Sequence, residues 1–137
     1  MKTTSREKPR ILIVEDDQGV RQGLRELLTD SDFEVVGEAE DGAGGVDLAE
    51  QLDPDVVLMD MRMPVMGGVE AARRIHRQRP DVQVVILTAY DDPALKAEAV
   101  DAGVYAFLVK GCSGRLISEV ATTAFKMRRS LQDSDRV

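Results

Sequence analysis

DVVLMDMRMPVMGG, residues 55–68, decides the fold. Val56 to Met59 are apolar without a break, as in a strand buried on both faces, and the run ends in the carboxylate of Asp60. Met61-Arg62-Met63-Pro64 can neither extend the strand nor open a helix cleanly, and Gly67-Gly68 lets the chain turn tightly into the next element. A buried strand that delivers an acid to its own carboxyl end, followed by a helix, is one half of a βαβ unit.

Outward from this stretch the same alternation repeats. Strands are expected at 10–14, 33–39, 55–60, 82–88 and 106–109, and helices at 18–30, 42–52, 68–79, 92–103 and 113–131. Asp17 is placed to cap the first helix, Gly44-Gly45 costs the second propensity, and Asp92-Pro93 with Gly103 brackets the fourth. The last helix is assigned an apolar stripe of Leu116, Val120, Ala124 and Met127, with Lys126, Arg128 and Arg129 complementing its dipole. Five strands alternating with five helices give an α/β, doubly wound five-stranded parallel sheet. A weaker second strand, suited to an edge, favours the flavodoxin-like order 2-1-3-4-5. The domain is assigned residues 10–131, with tails at 1–9 and 132–137.

Ligands of such sheets bind beyond the carboxyl ends of the strands. There the first strand delivers Glu15-Asp16-Asp17, the third Asp60, the fourth Thr88 and the fifth Lys110. Each alone reads as a cap or a solvated side chain; together they form a site. Crowded carboxylates call for a cation, and a hard, oxygen-preferring Mg²⁺ takes one or two of them and keeps open positions for phosphate oxygens. Thr88 and Lys110 suit the remaining phosphoryl oxygens, so the pocket fits phosphoryl transfer onto a carboxylate.

Composition narrows the alternatives. The net charge is −7 and the pI about 4.7, against a nucleic-acid surface on this domain. Lone Cys112 excludes an internal disulfide, and lone His76, among arginines, reads as a surface residue. No apolar run matches a membrane span and no signal peptide precedes the first strand, so a cytoplasmic protein is expected.

The motifs ILIVEDD (11–17), VVLMDMRMPVMGGVEAARRI (56–75), VVILTAYDD (84–92) and AGVYAFLVKG (102–111) resemble those of response-regulator receiver domains of two-component signalling, the CheY-like superfamily. The similarity is greatest to receivers of the NarL/LuxR type, which precede DNA-binding domains in transcription regulators.

The resemblance implies that Asp60 is the phosphoacceptor, with Glu15, Asp16, Asp60 and the backbone carbonyl of Arg62 around Mg²⁺ (Mn²⁺ able to replace it). It implies that Thr88 and Lys110 hold the phosphoryl group, that small Ala89 keeps access open, and that Thr88 and Phe107 (not Tyr105) form the switch toward the face of the fourth helix, fifth strand and fifth helix. The implied donor is a sensor histidine kinase or phosphotransfer protein, a homodimer on phosphorylation is allowed, and the domain signals without being an enzyme. Gly111 replaces a proline common after the lysine, so GCSG (111–114) is expected to be flexible.

Three rival readings fit these residues less well. A dinucleotide site at DGAGG (41–45) follows the second strand, not the first, and lacks the full fingerprint. A Mg-dependent aspartyl-phosphate phosphatase of the haloacid-dehalogenase type would put its nucleophile after the first strand. A phosphorylation-independent interaction module would usually lack one of the acids, the Thr or the Lys, and all are present.

Overall fold

The computed structural model describes residues 7–134. Its elements run β1 (Arg10–Val14), α1 (Gln18–Asp30), β2 (Glu34–Ala39), α2 (Gly42–Leu52), β3 (Val56–Met59), α3 (Gly68–Gln78), β4 (Gln83–Thr88), α4 (Pro93–Asp101), β5 (Ala106–Val109) and α5 (Gly114–Ser134). The strands form one parallel sheet in the order β2-β1-β3-β4-β5. Because successive side chains leave opposite faces, β1, β3 and β4 each split between two cores. Leu12, Val14, Val57, Met59, Val84 and Ile86 pack with α2, α3 and α4, whereas Ile11, Ile13, Val56, Leu58, Val85 and Leu87 pack with α1 and α5. This two-sided burial explains why the central strands are apolar without alternation.

Local chemistry sets the helix starts. The Asp17 carboxylate accepts from the Val20 N–H, Asp41 from Gly44 and Asp92 from Ala94, with Pro93 opening α4. Gly45 is the place where α2 meets β1, since a Cβ there would lie 2.9 Å from the Val14 side chain.

Three expectations are corrected. The buried side of α5 is Ile117, Ala121, Ala124 and Arg128, while Leu116 and Met127 are exposed. Two alanines let the helix approach the sheet closely, and Arg128 does not serve the helix dipole. It is only 4% exposed and reaches the amino ends of β3 and β4, the opposite end of the sheet from Glu15, Asp16 and Asp60. There it pairs with Asp53 Oδ1 at 2.6 Å, Asp55 Oδ1 at 2.9 Å and Asp81 Oδ2 at 3.2 Å. Second, α5 continues to Ser134, past the expected end at 131; residues 135–137 of the expected tail, like 1–6 of the other, lie outside the described residues.

Third, the loop after β3 turns at Val65, with φ +69° and a Met66 N–H to Pro64 carbonyl bond of 2.7 Å, and not at Gly67-Gly68. The glycine at 68 is needed for contact: a Cβ would collide with the Asp60 carbonyl. The segment after Lys110 is likewise a defined turn. Gly111 has φ +100°, which proline cannot adopt, the Cys112 N–H reaches the Val109 carbonyl at 3.1 Å, and Ser113 Oγ accepts from Leu116 N–H at 3.1 Å.

Candidate functional site

The carboxyl ends of β1, β3, β4 and β5 converge. Carboxylate oxygens of Glu15, Asp16 and Asp60 lie within 4.8 Å of one another, with Glu15 and Asp60 buried and Asp16 exposed. Lys110 arrives from β5, its Nζ 2.8 Å from Glu15 Oε1 and 3.5 Å from Asp60 Oδ2. Its backbone is fixed as well, the Lys110 N–H donating to the Thr88 carbonyl at 2.6 Å. Asp60 Oδ1 accepts from the Met61 N–H at 2.8 Å, and Glu15 Oε2 from the Asp17 N–H at 3.0 Å.

Burial pushes the Glu15 carboxyl up, against the Lys110 hydrogen bond, and the Asp60 charge adds to the rise. The folded protein therefore holds this proton more tightly than the unfolded chain. Glu15 costs the fold stability as pH rises from the ordinary carboxylate range through that raised value. Burial opposes the Lys110 ammonium, yet its bond to Glu15 and the Asp60 charge outweigh burial and hold it above the usual lysine range. One cation thus faces three acids. The donor set is oxygen only and partly open to solvent, which fits a hard divalent ion and not a thiophilic one.

Thr88 is fully buried, its Oγ1 accepting from the Tyr90 N–H at 3.3 Å. Ala89 beside it is exposed. Arg62, two residues past Asp60, lays its guanidinium 3.9 Å from the Tyr90 ring centroid and so ties the β3–α3 and β4–α4 loops together, a contact that sequence reasoning missed. Phe107 is half-buried beside the α2–α3–α4 core, paired with Ile86 of the neighbouring strand β4, with Lys96 Nζ 5.6 Å from its ring centroid. It lies on β5, three residues before Lys110. His76 is exposed on α3.

An acid cluster, a buried hydroxyl and a lysine thus meet at the switch point of a 2-1-3-4-5 sheet. The family model described as response regulator receiver domain matches residues 11–122, and the chain belongs to that family, the receivers of two-component systems. It is 36% identical to the transcriptional regulatory protein YdfI of Bacillus subtilis over 124 residues, and 37% identical to LiaR of the same organism over the same length. Each alignment covers 90% of this chain but only 58% and 59% of those relatives. Among solved structures, the signal receiver domain of the response regulator NarL from Mycobacterium tuberculosis superposes with a TM-score of 0.83 at 32% identity, covering 88% of this chain and 98% of that one. A LuxR-family response regulator from Aurantimonas gives 0.83 at 28% identity, over 88% and 86%. Among the described residues no helix is long and apolar enough to cross a membrane.

Proposed function

We propose that the chain accepts a phosphoryl group on Asp60 from the phosphohistidine of a sensor kinase or phosphotransfer protein. The observation that carries this reading is the convergence of Glu15, Asp16 and Asp60 with Lys110 on two of them. An Asp60 oxygen attacks phosphorus, a P–O bond forms, the P–N bond breaks, and the histidine nitrogen keeps the electron pair. Glu15, Asp16, Asp60 and the Arg62 carbonyl would hold Mg²⁺, or Mn²⁺, which when bound neutralises charge on the phosphoryl oxygens. Lys110 supplies a point charge to one of those oxygens and the Thr88 hydroxyl a donor to another. Exposed Ala89 leaves the approach open. The domain carries a signal and is not a turnover enzyme. The chain spans about three fifths of the length of the two transcriptional regulatory proteins, and this reading serves either a stand-alone receiver or one joined to a DNA-binding output segment.

Incubation with Mg²⁺ and acetyl phosphate should add one hydroxylamine-labile phosphoryl group per chain. No incorporation, with metal and donor in excess, would leave the interaction-module reading in its place.

Metal binding alone should be measurable. A ligand that binds only the folded state at a hundredfold excess over its Kd adds about 2.7 kcal/mol. Mg²⁺ should therefore raise Tm by several degrees, and a chelator should return it. Unchanged melting across a Mg²⁺ titration would remove the cation from the site.

Thr88 and Phe107 form the proposed switch. A phosphoryl oxygen offers the Thr88 hydroxyl a partner better than the Tyr90 N–H, and its inward turn vacates space into which Phe107 can move, reshaping the face of α4, β5 and α5. A conversion from one per cent to ninety-nine per cent needs a differential of about 5.5 kcal/mol between the two states. Thr88→Ala should still accept phosphate while losing most of the amide shift changes that beryllofluoride produces over residues 92–120. Full wild-type changes in that variant would exclude Thr88 as the coupling group.

A further inference from the structure

Behind the acids, on the first turn of α1, lies a cation that the chemistry above does not use. Arg21 is nearly buried, its side chain 15% exposed, and it points back at the loop that follows β1. Its Nη1 donates to the Glu15 carbonyl at 2.7 Å and lies 3.3 Å from the Asp16 carbonyl. Its Nε faces Glu38 Oε1 of β2 at 3.5 Å, and Arg25 Nε binds the other oxygen of the same carboxylate. The guanidinium therefore spans from the edge strand to the two residues whose carboxylates meet Asp60. The Glu15 N–H to the Ala39 carbonyl at 2.9 Å fixes the start of that loop, and the Asp17 cap fixes its end. Between them, the Glu15 and Asp16 carbonyls are held by Arg21.

We infer that Arg21, steadied by Glu38, is a positioning residue that presets Glu15 and Asp16 for a divalent cation. The inference rests on the metal reading above and deepens it. A cation site loses affinity when its ligands must be ordered at the moment of binding, and a rigid support behind the ligands removes that cost. Outer partners of ligating groups are typically worth 10- to 100-fold in metal affinity. Arginine suits the task because its planar fork satisfies two carbonyls and a carboxylate at once, where an ammonium on a flexible stem holds them less rigidly.

The test is isothermal titration of the folded, metal-free protein with Mg²⁺ alone, well below Tm. Arg21→Met keeps the aliphatic stem and should weaken Mg²⁺ about tenfold. Arg21→Lys should fall between that variant and wild type, and Glu38→Gln should weaken binding less than Arg21→Met because the carbonyl bonds survive. A lower Tm with wild-type Mg²⁺ affinity in Arg21→Met would make the residue merely structural and overturn the inference. If Arg21→Met does not fold, Arg21→Lys decides, weaker binding supporting the inference and unchanged binding overturning it. Wild-type protein that binds no Mg²⁺ overturns the metal reading and this inference with it. Wild-type binding with an unaffected Arg21→Met overturns this inference alone.

Discussion

Asp60→Asn should take no label from acetyl phosphate under conditions that saturate the wild type. The amide keeps the shape of the carboxylate and can keep the Met61 N–H bond through its oxygen, so the loop has no reason to move. What it loses is the nucleophilic charge, and a neutral amide does not form an acyl phosphate. The loss should be complete within the sensitivity of the assay. The same change removes one of three crowded charges, so the metal-free variant should melt higher than wild type and gain less from Mg²⁺. A variant that still incorporates hydroxylamine-labile phosphate would move the acceptor to Glu15 or Asp16. One that melts lower than wild type without metal would argue against repulsion among the acids.

The second large effect lies at the amino ends of the strands. Arg128→Met should cost the fold about 3 kcal/mol, measured as a shift of the urea midpoint. Its guanidinium is the shared partner of Asp53, Asp55 and Asp81, and of these Asp55 is buried. Methionine replaces the packing of the stem but leaves the Asp55 charge with only the Arg10 N–H, 2.9 Å from its other oxygen. Asp53 and Asp81 are partly solvated, which keeps the expected loss at the low end for a broken buried pair.

The deficit relative to wild type should be compared at neutral pH. Adding Asp55→Asn should recover part of it, since the two residues touch and their effects do not add. A deficit below about 1 kcal/mol would make Arg128 an ordinary screened surface cation.

Arg128 also marks where sequence reasoning ends. The strands and most helix starts were legible because each is written in a short window: two-faced apolar runs for β1, β3 and β4, and Asp caps at 17 and 92. The acids, Thr88 and Lys110 were legible because the topology rule carries strand ends to one place, whatever lies between them. Arg128 was not, because its partners sit in two loops far away in the chain, where a solvated carboxylate is ordinary. With the arginine assigned to the helix dipole, the apolar stripe of α5 falls on Leu116 and Met127 and not on Ile117 and Ala121. The role of Gly68 was missed for a related reason. Glycine signals permissive φ, whereas here it is the missing Cβ, against the Asp60 carbonyl, that counts. Arg21 reads as one more polar position on an amphipathic helix, and only the path of the β1–α1 loop gives it work.

The strand order has a consequence for the chain as it is made. β1, the first strand synthesised, lies between β2 and β3, and β5, the last, closes the far edge. Each parallel pairing waits for a whole crossover, so contacts within the sheet are distant in sequence and form slowly compared with those of a helical bundle. The acids of β1 and β3 can meet once the first half has folded, but Lys110 joins them only after β5 docks beside β4. Until then a nascent or half-folded chain carries the acids without the ammonium that offsets them. Completion of the site is thereby tied to completion of the fold, and the last strand to dock is the one that finishes it.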